Sequence, residues 1–478
     1  MTLRRFLGIA CACSVLAACT VGPDYAAPEV QIAPGWRQPV ASGAASSEPW
    51  WKAFRDPVLD RLQNEAQAGN LTIEQALARV DQARAAAAAS GAALLPVIEA
   101  NGTAARAQQS LNSGLGQLSR YVPDLPRTVD SGSATLNGSW DLDFAGGIRR
   151  RQEAARASLV EAEAGVQAAR LAVAAELVQA YFRLRTAEAQ GRALAVLARE
   201  ARERAAIMQA RQTAGAASLA DAERTSALAE QAAAVVPGIE ARVEAERAQI
   251  AVLVGRSPSL PLDLAGQMSV DAPDPIGGVP ASVLRARPDV AAAEARLVAS
   301  NAAIGAALAE YWPSISIGGL IGVQSNRFGE LFTGDSVAIQ GAVALRWRLF
   351  DFGRIDAQVA SARGRNREML AAYREAVLRA TAEVESAQAA LTAERQAYAG
   401  ALAEVMSLAK ASARDDSAFR SGAISLEQLS FSRSALEQAE IRLIASQGRM
   451  AAGIVDVARS LGLPIADQIQ EGHQEKQP

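Results

Sequence analysis

The sequence has almost none of the side chains on which most enzyme chemistry depends. Its 478 residues include one histidine, His473, and three cysteines, Cys11, Cys13 and Cys19, all in the first 19 positions. Beyond that N-terminal segment the chain has no thiol for a disulfide, for thiol catalysis or for a zinc site. One histidine in a polar tail cannot supply a Ser-His-Asp triad or a histidine-rich metal centre. We therefore expect no enzyme activity, no cofactor and no metal.

Aromatic residues and excess charge are also scarce. Phe, Trp and Tyr make up 5% of the chain, and the formal net charge is -3. Half of the residues are hydrophobic, and much of this share is alanine, the residue with the highest helix propensity. Without an excess of Lys and Arg, no basic face suggests a nucleic-acid partner. The composition instead favours a mainly α-helical protein.

The N-terminus has the composition of an export signal. Arg4 and Arg5 precede the apolar stretch FLGIACACSVLAA, which is too short to span a membrane as a helix. The stretch runs into LAAC, which resembles a bacterial lipoprotein signal and implies removal of residues 1–18 and acylation of Cys19. Thr20 follows where an Asp would imply retention in the inner membrane, so the resemblance implies outer-membrane delivery. The alternative is an ordinary signal peptide that is discarded together with Cys19.

The rest of the chain consists of two related copies of one pattern. Trp347 follows Trp140 by 207 residues, and the same spacing relates two later glycine-serine motifs. Upstream, Pro313 follows Pro96 by 217 residues. The first copy therefore has about ten extra residues, expected in a loop rich in Gly, Ser and Pro. Each copy predicts the same order of elements: helix, β-hairpin, long helix, tight turn and returning helix.

Interruptions of this pattern divide the chain into parts. Between the two copies, closely spaced proline and glycine residues prevent regular structure. The predicted parts are a signal peptide (1–18), a lipidated strap with the start of an equatorial region (19–60), a first repeat (61–255), a linker (256–280), a second repeat (281–463) and a polar tail (464–478).

Each repeat contains stretches with the two-residue period of β-strands. They predict hairpins at about 97–142 and 314–349. In the second hairpin one face carries Arg346 and Arg348, which cannot be buried unpaired in an apolar core. That face must therefore meet water, while the other meets something apolar. The predicted apolar face consists of Ile315, Ile317, Ile321, Val323, Val337, Ile339, Val343, Leu345, Trp347 and Leu349, with Leu136, Trp140 and Leu142 from the first hairpin.

The four predicted strands are long enough to cross a membrane, which takes about 9–11 residues. Four strands cannot close a barrel by themselves, and an open edge in hydrocarbon costs several kcal/mol for each unpaired backbone group. Because single-chain membrane barrels begin at about eight strands, several copies of this chain must each contribute four. The pattern itself does not fix the number of copies. A soluble two-sheet sandwich is disfavoured, because a long helical stretch separates the two hairpins.

Long stretches without proline and with a seven-residue apolar repeat predict coiled-coil helices. A helix of about 65 residues is about 100 Å long. Each long helix is expected to end at a glycine, Gly215 or Gly422, and a serine three residues later, Ser218 or Ser425, can cap the returning helix. The heptad positions are Leu159, Val166, Val173, Ala180, Ala187, Leu194, Ala201 and Met208 in the first copy and Leu370, Val377, Val384, Leu391, Tyr398 and Val405 in the second.

Four stretches carry a family resemblance. They read LAACTVGPDYAAPEV at the N-terminus, EPWWKAFRDPVLDRLQNEAQAGN over 48–70, VPASVLRARPDVAAAEARLVASNAAIGAALAEYWPSISI over 279–317, and RLFDFGR over 348–354. Together they are similar to the outer-membrane efflux protein family, the TolC-like channels, and within it to the lipidated NodT/OprM-like branch. The similarity covers nearly the whole chain after the signal peptide.

The resemblance implies an architecture and partners. Three protomers would form a twelve-stranded β-barrel in the outer membrane, continued across the periplasm by a hollow barrel of coiled-coil α-helices. The expected partners are a periplasmic adaptor protein, an inner-membrane transporter, most often of the proton-driven RND class, and outer-membrane lipid. The tips of the helical hairpins would dock the adaptor through Gly215, Ser218, Arg420, Gly422 and Ser425. The strand-helix junctions would lie at Gly146 and Gly147 and at Gly353 and Arg354.

The sequence departs from the family pattern in two places. At the first junction Gly147 stands where the family usually has the arginine that Arg354 supplies in the second. At the entrance, members often carry aspartates six and nine residues after the second tip glycine, where this chain has Gln428 and Phe431. The first copy has Asp221 and Arg224 at the corresponding places. We expect an entrance constriction formed by Asp415, Asp416, Glu427, Gln428 and Phe431, the alternative being that these are ordinary solvated helix residues.

Three functions are compatible with these patterns. The first is a passive conduit of a tripartite efflux system for drugs or other toxic small molecules. The second is the outer-membrane duct of a type I protein secretion system, and the third is a structural coiled-coil lipoprotein without a pore. Conductance in a planar bilayer would separate the third from the other two. Neighbouring genes would separate an RND efflux system from an ABC secretion system.

Overall fold

The structure is a computed structural model that describes residues 20–37, 41–42, 48–112, 117, 121–122, 126–264, 276–277, 279–463 and 465. Three predictions lie outside these residues: the signal peptide, the lipidation of Cys19, and the polar tail with His473. Of the tail, only residue 465 is described.

The two repeats contain the same elements in the same order. The first has α1 (Pro57–Gly69), α2 (Leu71–Ala92), β1 (Val97–Gln108), β2 (Thr128–Asp141), α3 (Gly147–Thr213) and α4 (Leu219–Leu253). The second has α5 (Pro280–Ala286), α6 (Pro288–Ala309), β3 (Ser314–Ser325), β4 (Val337–Arg346), α7 (Arg354–Arg420) and α8 (Leu426–Ser460). Short 3-10 helices occur at Trp50–Phe54, Phe328–Glu330 and Gly334–Ser336, and Ala41–Ser42 pairs in parallel with Ile276–Gly277.

The contacts of the chain group it into two compact units that both draw on both repeats. Unit 1 comprises residues 1–28, 81–161 and 293–372, and it contains the strands. Unit 2 comprises residues 29–80, 162–292 and 373–478, and it contains the helix turns near 215 and 422. The division of the chain into packed units therefore does not follow the division into repeats.

The four long strands of unit 1 form one antiparallel sheet in the order β1-β2-β3-β4. Its two outer strands, β1 and β4, each have one edge without a partner strand among the described residues. Successive side chains of a strand point to opposite faces, so the register places residues of one face in rows across the sheet. One such row is Trp140, Ile317 and Val343, and the next is Leu136, Ile321 and Ile339. The predicted apolar face is thus confirmed.

The last strand is shorter than the sequence predicts. It was expected to continue to Leu349, but β4 ends at Arg346. Arg346 pairs with Ser314, the first residue of β3, and Pro313 before it has no amide hydrogen with which to continue the ladder. The Trp347 indole donates instead to the Tyr311 carbonyl oxygen at 3.0 Å.

The main apolar core lies in unit 2, where α3 packs against segments from both repeats. Its largest buried side chains include Phe54, Tyr181 and Phe182, and the Phe54 and Phe182 ring centroids lie 4.7 Å apart. The Tyr181 hydroxyl donates to Asp56 at 2.5 Å and accepts from Arg185 at 3.1 Å. Burial, with the Asp56 hydrogen bond, raises the pKa of Tyr181 to about 12. The tyrosine is therefore a neutral donor in this core at any physiological pH.

The long helices α3 and α7 have 67 residues each, which corresponds to about 100 Å at 1.5 Å per residue. The predicted heptad positions are buried or half-buried along both helices. Val166, Val173, Ala180 and Ala187 are buried in α3, as are Val377, Val384 and Leu391 in α7. The heptad interpretation is confirmed.

Candidate functional site

The outward face of the sheet is apolar and uncovered, apart from the Arg106–Asp130 ion pair near the loop between β1 and β2. Ile339 is 75% exposed and Val343 is 73% exposed, and their neighbours across the sheet are exposed as well. The opposite face is polar: Thr103 and Ser133 hydrogen-bond at 2.7 Å through their hydroxyls, and Asn137 donates to Thr135 at 3.3 Å. Exposed apolar area on this scale marks a surface made for a membrane or another protein. The alternation is that of a strand with an apolar and an aqueous side.

Aromatic side chains gather at the end of the sheet nearest the helices. The Trp140 indole donates to the Leu94 carbonyl oxygen at 2.8 Å, as the Trp347 indole does to Tyr311 at 3.0 Å. The two bonds are equivalent in the two repeats. Both indoles are partly exposed while their N–H groups are satisfied, which is the behaviour of tryptophan at a membrane-water interface. Other exposed aromatics here are Phe144, Trp312, Phe350 and Phe352.

The first strand-helix junction is built on Asp143. Asp143 and Gly146 have positive φ angles of 42° and 77°, and together they reverse the chain within a few residues. The Asp143 carboxylate accepts from the amides of Ile148 and Arg149 at 2.7 and 3.0 Å. These are amides of the first turn of α3, which have no partner within the helix. The helix begins at Gly147.

The second junction uses a different aspartate. Asp351 accepts from the amides of Gly353 and Ile355 at 3.1 and 2.7 Å, and Phe352 and Gly353 have φ angles of 56° and 83°. Helix α7 begins at Arg354. The sequence pattern indicates the junction glycines, but neither capping aspartate was predicted from it. An aspartate just before a predicted helix start was the available signal.

The N-terminal strap, residues 20–25, is fixed to unit 1 by Arg150. This guanidinium is only 4% exposed. It donates to the carbonyl oxygens of Val21 and Gly22 at 3.3 and 3.2 Å and to the Asp24 carboxylate at 2.8 Å. Asn301 also donates to Pro23 at 2.9 Å. The strap therefore lies against α3 and α6, and the Val21 amide donates to the Ala145 carbonyl at the first junction.

The Arg-Pro-Asp motif of the second repeat holds unit 2 together. Arg287 is buried and donates to the Ser460 carbonyl oxygen and the Glu383 carboxylate, both at 2.6 Å, and to Asp289 at 2.8 Å. Although burial opposes ionisation of Asp289, the Arg287 guanidinium holds the pKa of that carboxyl below its usual value. The motif therefore connects α6, α7 and the end of α8.

The two helix turns, at Gly215 and Gly422, have the same construction. The glycines have φ angles of 73° and 77°, the left-handed conformation that closes a helix. The Ser218 hydroxyl accepts from the Asp221 amide at 3.1 Å, and Ser425 accepts from the Gln428 amide at 3.2 Å. The predicted serine caps are thus confirmed. Arg420 is the last residue of α7 and is exposed.

The predicted entrance residues lie near the second turn. The Asp416 carboxylate accepts from Arg433 at 2.6 Å, which ties α7 to α8. Asp415 is half-buried, and Glu427 and Gln428 are exposed in the first turn of α8. Phe431 is 78% exposed, a large apolar side chain with no cover in the single chain. The constriction itself stays a prediction.

A carboxyl pair between α3 and α8 was not predicted from the sequence. Burial, with the adjoining Glu200 carboxyl, raises the pKa of Glu437 to about 7. Arg204 partly offsets this, but its guanidinium donates mainly to the hydroxyls of Ser430 and Ser434 at 2.5 and 2.9 Å. The proton on Glu437 allows the two carboxyls to adjoin at the contact between the helical hairpins of the two repeats.

This pair predicts that stability falls as the pH rises towards 7. The folded protein keeps the Glu437 proton between its ordinary pKa of 4.5 and about 7, a range in which the unfolded chain has lost it, so the contribution is complete below 4.5 and lost above 7. Glu437→Gln should remove the decline and stabilise the protein above pH 7 by about 1 kcal/mol, since the site is partly solvated. Thermal unfolding from pH 5 to 8 measures this.

The matched control for that experiment is Glu440→Gln, an exposed acid one turn further along α8. The Glu440 charge also helps to raise the pKa of Glu437, but its effect is the smallest of those that do. Removing it should therefore change that pKa only slightly. A pH profile that Glu437→Gln leaves unchanged would show that the carboxyl pair is not protonated as described.

Among the described residues, two kinds of feature are absent. No helix there is both long enough and apolar enough to cross a membrane. The same residues contain no group of three or more His, Cys, Asp and Glu side chains able to hold a metal ion.

Comparison with known proteins gives consistent matches over most of the chain. The family model described as outer membrane efflux protein matches residues 62–256 and 279–463. The outer membrane protein OprJ of Pseudomonas aeruginosa is 31% identical over 94% of this chain and 93% of its own. The pyoverdine export outer membrane protein OpmQ of Pseudomonas putida is 30% identical over 81% of this chain and 82% of its own. The open MtrE outer membrane channel of Neisseria gonorrhoeae superposes with a TM-score of 0.83 at 26% identity, over 94% of this chain and 99% of its own.

Proposed function

The chain belongs to the outer membrane efflux protein family and is an outer-membrane efflux channel, and on that premise we propose how it acts. It forms a homotrimer that gives a passive conduit across the periplasm and the outer membrane. The conduit carries drugs or other toxic small molecules, and an inner-membrane pump supplies the energy. The observation that carries the proposal is an apolar, exposed sheet face on four strands with two open edges.

The open edges support association of several copies. Each unpaired backbone group would cost several kcal/mol in hydrocarbon, and a second chain's sheet edge satisfies these groups. Three chains with four strands each give a twelve-stranded barrel, wide enough for an aqueous lumen. The polar face, with Thr103, Ser133, Thr135 and Asn137, is suited to line that lumen.

The partners of such a channel are a periplasmic adaptor and an inner-membrane transporter, which we propose to be of the RND class. The helix turns at Gly215 and Gly422, capped by Ser218 and Ser425, are the proposed adaptor-docking tips. Arg420 supplies an exposed charge beside the second tip. The family and its solved members are channels, and we propose that this chain likewise catalyses no reaction.

Lipidation of Cys19 is supported by the position of the strap. Thr20 lies against Gly146, where an added Cβ would come within 2.7 Å of the Thr20 side chain. The strap thus begins at the strand-helix junction, next to the aromatic side chains of the sheet. An acyl chain on Cys19 would enter the membrane at this level. Gly146, Gly147, Gly353 and Arg354 are proposed as the junctions at which barrel strands become tunnel helices.

The entrance is proposed to narrow at Asp415, Asp416, Glu427, Gln428 and Phe431. Closure by these residues would differ from closure by a purely acidic ring, because Phe431 adds an exposed apolar side chain to the acids. Asp416 already binds Arg433, so its charge is partly neutralised. Loosening the constriction should increase conductance without changing the barrel.

The test combines gene deletion with conductance. Deletion should increase the susceptibility of the host to at least one class of toxic small molecule, and the intact gene should restore resistance. The purified oligomer should conduct in a planar bilayer once the entrance is opened, for example by Asp416→Ala with Phe431→Ala. Unchanged susceptibility to a broad set of compounds would count against drug export. An oligomer that never conducts would count against any channel.

A further inference from the structure

The internal repeat fixes the register of strand pairing in both hairpins. In the first, Val97 pairs with Ser139, and in the second, Ser314 pairs with Arg346. The 217-residue offset relates Val97 to Ser314, and the 207-residue offset relates Ser139 to Arg346. The two hairpins therefore have equivalent registers, and the sequence offsets hold in three dimensions.

The same offsets, applied to the pairing inside one chain's sheet, predict how the sheets of two neighbouring chains would pair. Strands β2 and β3 join the two repeats within one chain, and there Asp141 pairs with Ser316. The equivalent strands at the open edges are β4 of one copy and β1 of the next. Applied to this pair, the offsets place Arg348 opposite Glu99. Three further pairs follow in the same way, namely Arg346 with Asn101, Ala344 with Thr103, and Ala342 with Ala105.

The charges at this edge are complementary. Glu99 and Arg346 are exposed on opposite edges of the sheet, and neither forms an ion pair with another described residue of the chain. Arg348 binds Glu310. Side chains directly opposite or diagonal across antiparallel strands lie within reach of long residues. Glu99 and Arg346 lie on the polar face by the alternation of the strands, and Arg348 follows two residues beyond the end of β4.

We propose that two copies of this chain join β4 to β1 in this register, and that Glu99 of one copy is bound by Arg346 and Arg348 of its neighbour. This junction of β4 with the neighbour's β1, called the seam below, places the apolar faces of the two sheets on the same side. A slip by one residue would turn one apolar face towards the water-filled side. The ion pair stands in water and adds modest affinity, but it opposes pairing of these edges with an unrelated strand.

Disulfide mapping tests the register directly, because the native cysteines all lie in the first 19 residues. Thr103→Cys with Ala344→Cys should join neighbouring copies, since directly opposite residues lie within disulfide range. Thr103→Cys with Ala342→Cys is the matched control, in which the two cysteines are diagonal and too far apart. We expect about tenfold more linked oligomer on non-reducing gels for the first pair. The opposite preference would overturn the register.

Charge exchange tests the ion pair. Glu99→Arg alone should lower the temperature at which the oligomer dissociates, and adding Arg346→Glu should restore most of the loss. Asp141→Arg is the control: it reverses a polar-face charge on an interior strand and should not be rescued by Arg346→Glu. Absence of rescue of Glu99→Arg would overturn the pair.

The inference rests on the proposed trimer, and the native mass in detergent separates the two failures. A stable monomer would overturn both the proposed function and the seam. An oligomer that conducts but links in another register would overturn the seam alone.

Discussion

Gly255→Ala is expected to destabilise the protein by about 3 kcal/mol or more. Gly255 ends α4 with a φ of 74°, and the Arg256 amide closes the turn by donating to the Ala251 carbonyl at 2.8 Å. An added Cβ would lie 2.0 Å from the Gly69 carbonyl oxygen and 2.8 Å from its carbon. Both are backbone atoms at the end of α1, so relief requires that α1 and α4 move apart.

Gly215→Ala is the control because it introduces the same unfavourable backbone angle without the steric contact. Gly215 ends α3 with a φ of 73° and the same closing hydrogen bond, but a Cβ there meets nothing within 4 Å. It should cost only the conformational penalty of about 1 kcal/mol. Thermal unfolding of both variants measures the difference. Equal losses would show that the close approach of Gly69 and Gly255 does not limit stability.

The strands and long helices could be predicted because their signals are local and periodic. The alternation of Ile317, Ile321, Ile339 and Val343 places them on one face whatever their partners. The seven-residue period of Val166, Val173 and Ala180 likewise defines a buried stripe before any partner helix is known. The bounds were less accurate, since the end of β4 depends on the proline before its partner strand rather than on its own residues.

The helix caps at the junctions could have been found locally, but comparison of the repeats concealed them. The 207-residue offset relates Asp143 to Phe350 and Phe144 to Asp351. The two capping aspartates are therefore not equivalent positions, although each satisfies the first amides of a long helix. The positions shared by the two repeats include the glycines. They do not include the aspartates that accept hydrogen bonds from the first helix amides.

The strap contacts could not be predicted from local patterns at all. Arg150 and its acceptor Val21 are 129 residues apart, and no periodic pattern links them. From the sequence alone, a buried arginine in an alanine-rich helix cannot be distinguished from a solvated one until the segment that covers it is known. The same holds for Glu200 and Glu437, which adjoin only because α3 packs against α8.

Gly22→Ala is expected to release the strap from unit 1. Gly22 has a φ of 107°, and an added Cβ would lie 2.4 Å from the Gly305 Cα in α6. Displacing the strap removes three acceptors from the buried Arg150 guanidinium, namely the Val21 and Gly22 carbonyls and Asp24. Arg150 would then keep only the Glu153 carboxylate, at 2.8 Å, and loss of the other acceptors of a buried charge is expected to cost about 3 kcal/mol. The Val21 amide, which donates to the Ala145 carbonyl, should lose its protection from hydrogen exchange.

Gly35→Ala is the matched control in the same N-terminal segment, because a Cβ at Gly35 meets nothing within 4 Å. It should leave both the thermal stability and the Val21 exchange rate unchanged. If Gly22→Ala lowers stability while Val21 stays protected, the cost comes from the backbone angle and the strap remains bound. If both variants release the strap equally, the contact between Gly22 and Gly305 does not hold it. Only release by Gly22→Ala alone fits a strap fixed by two closely apposed backbones and one buried arginine.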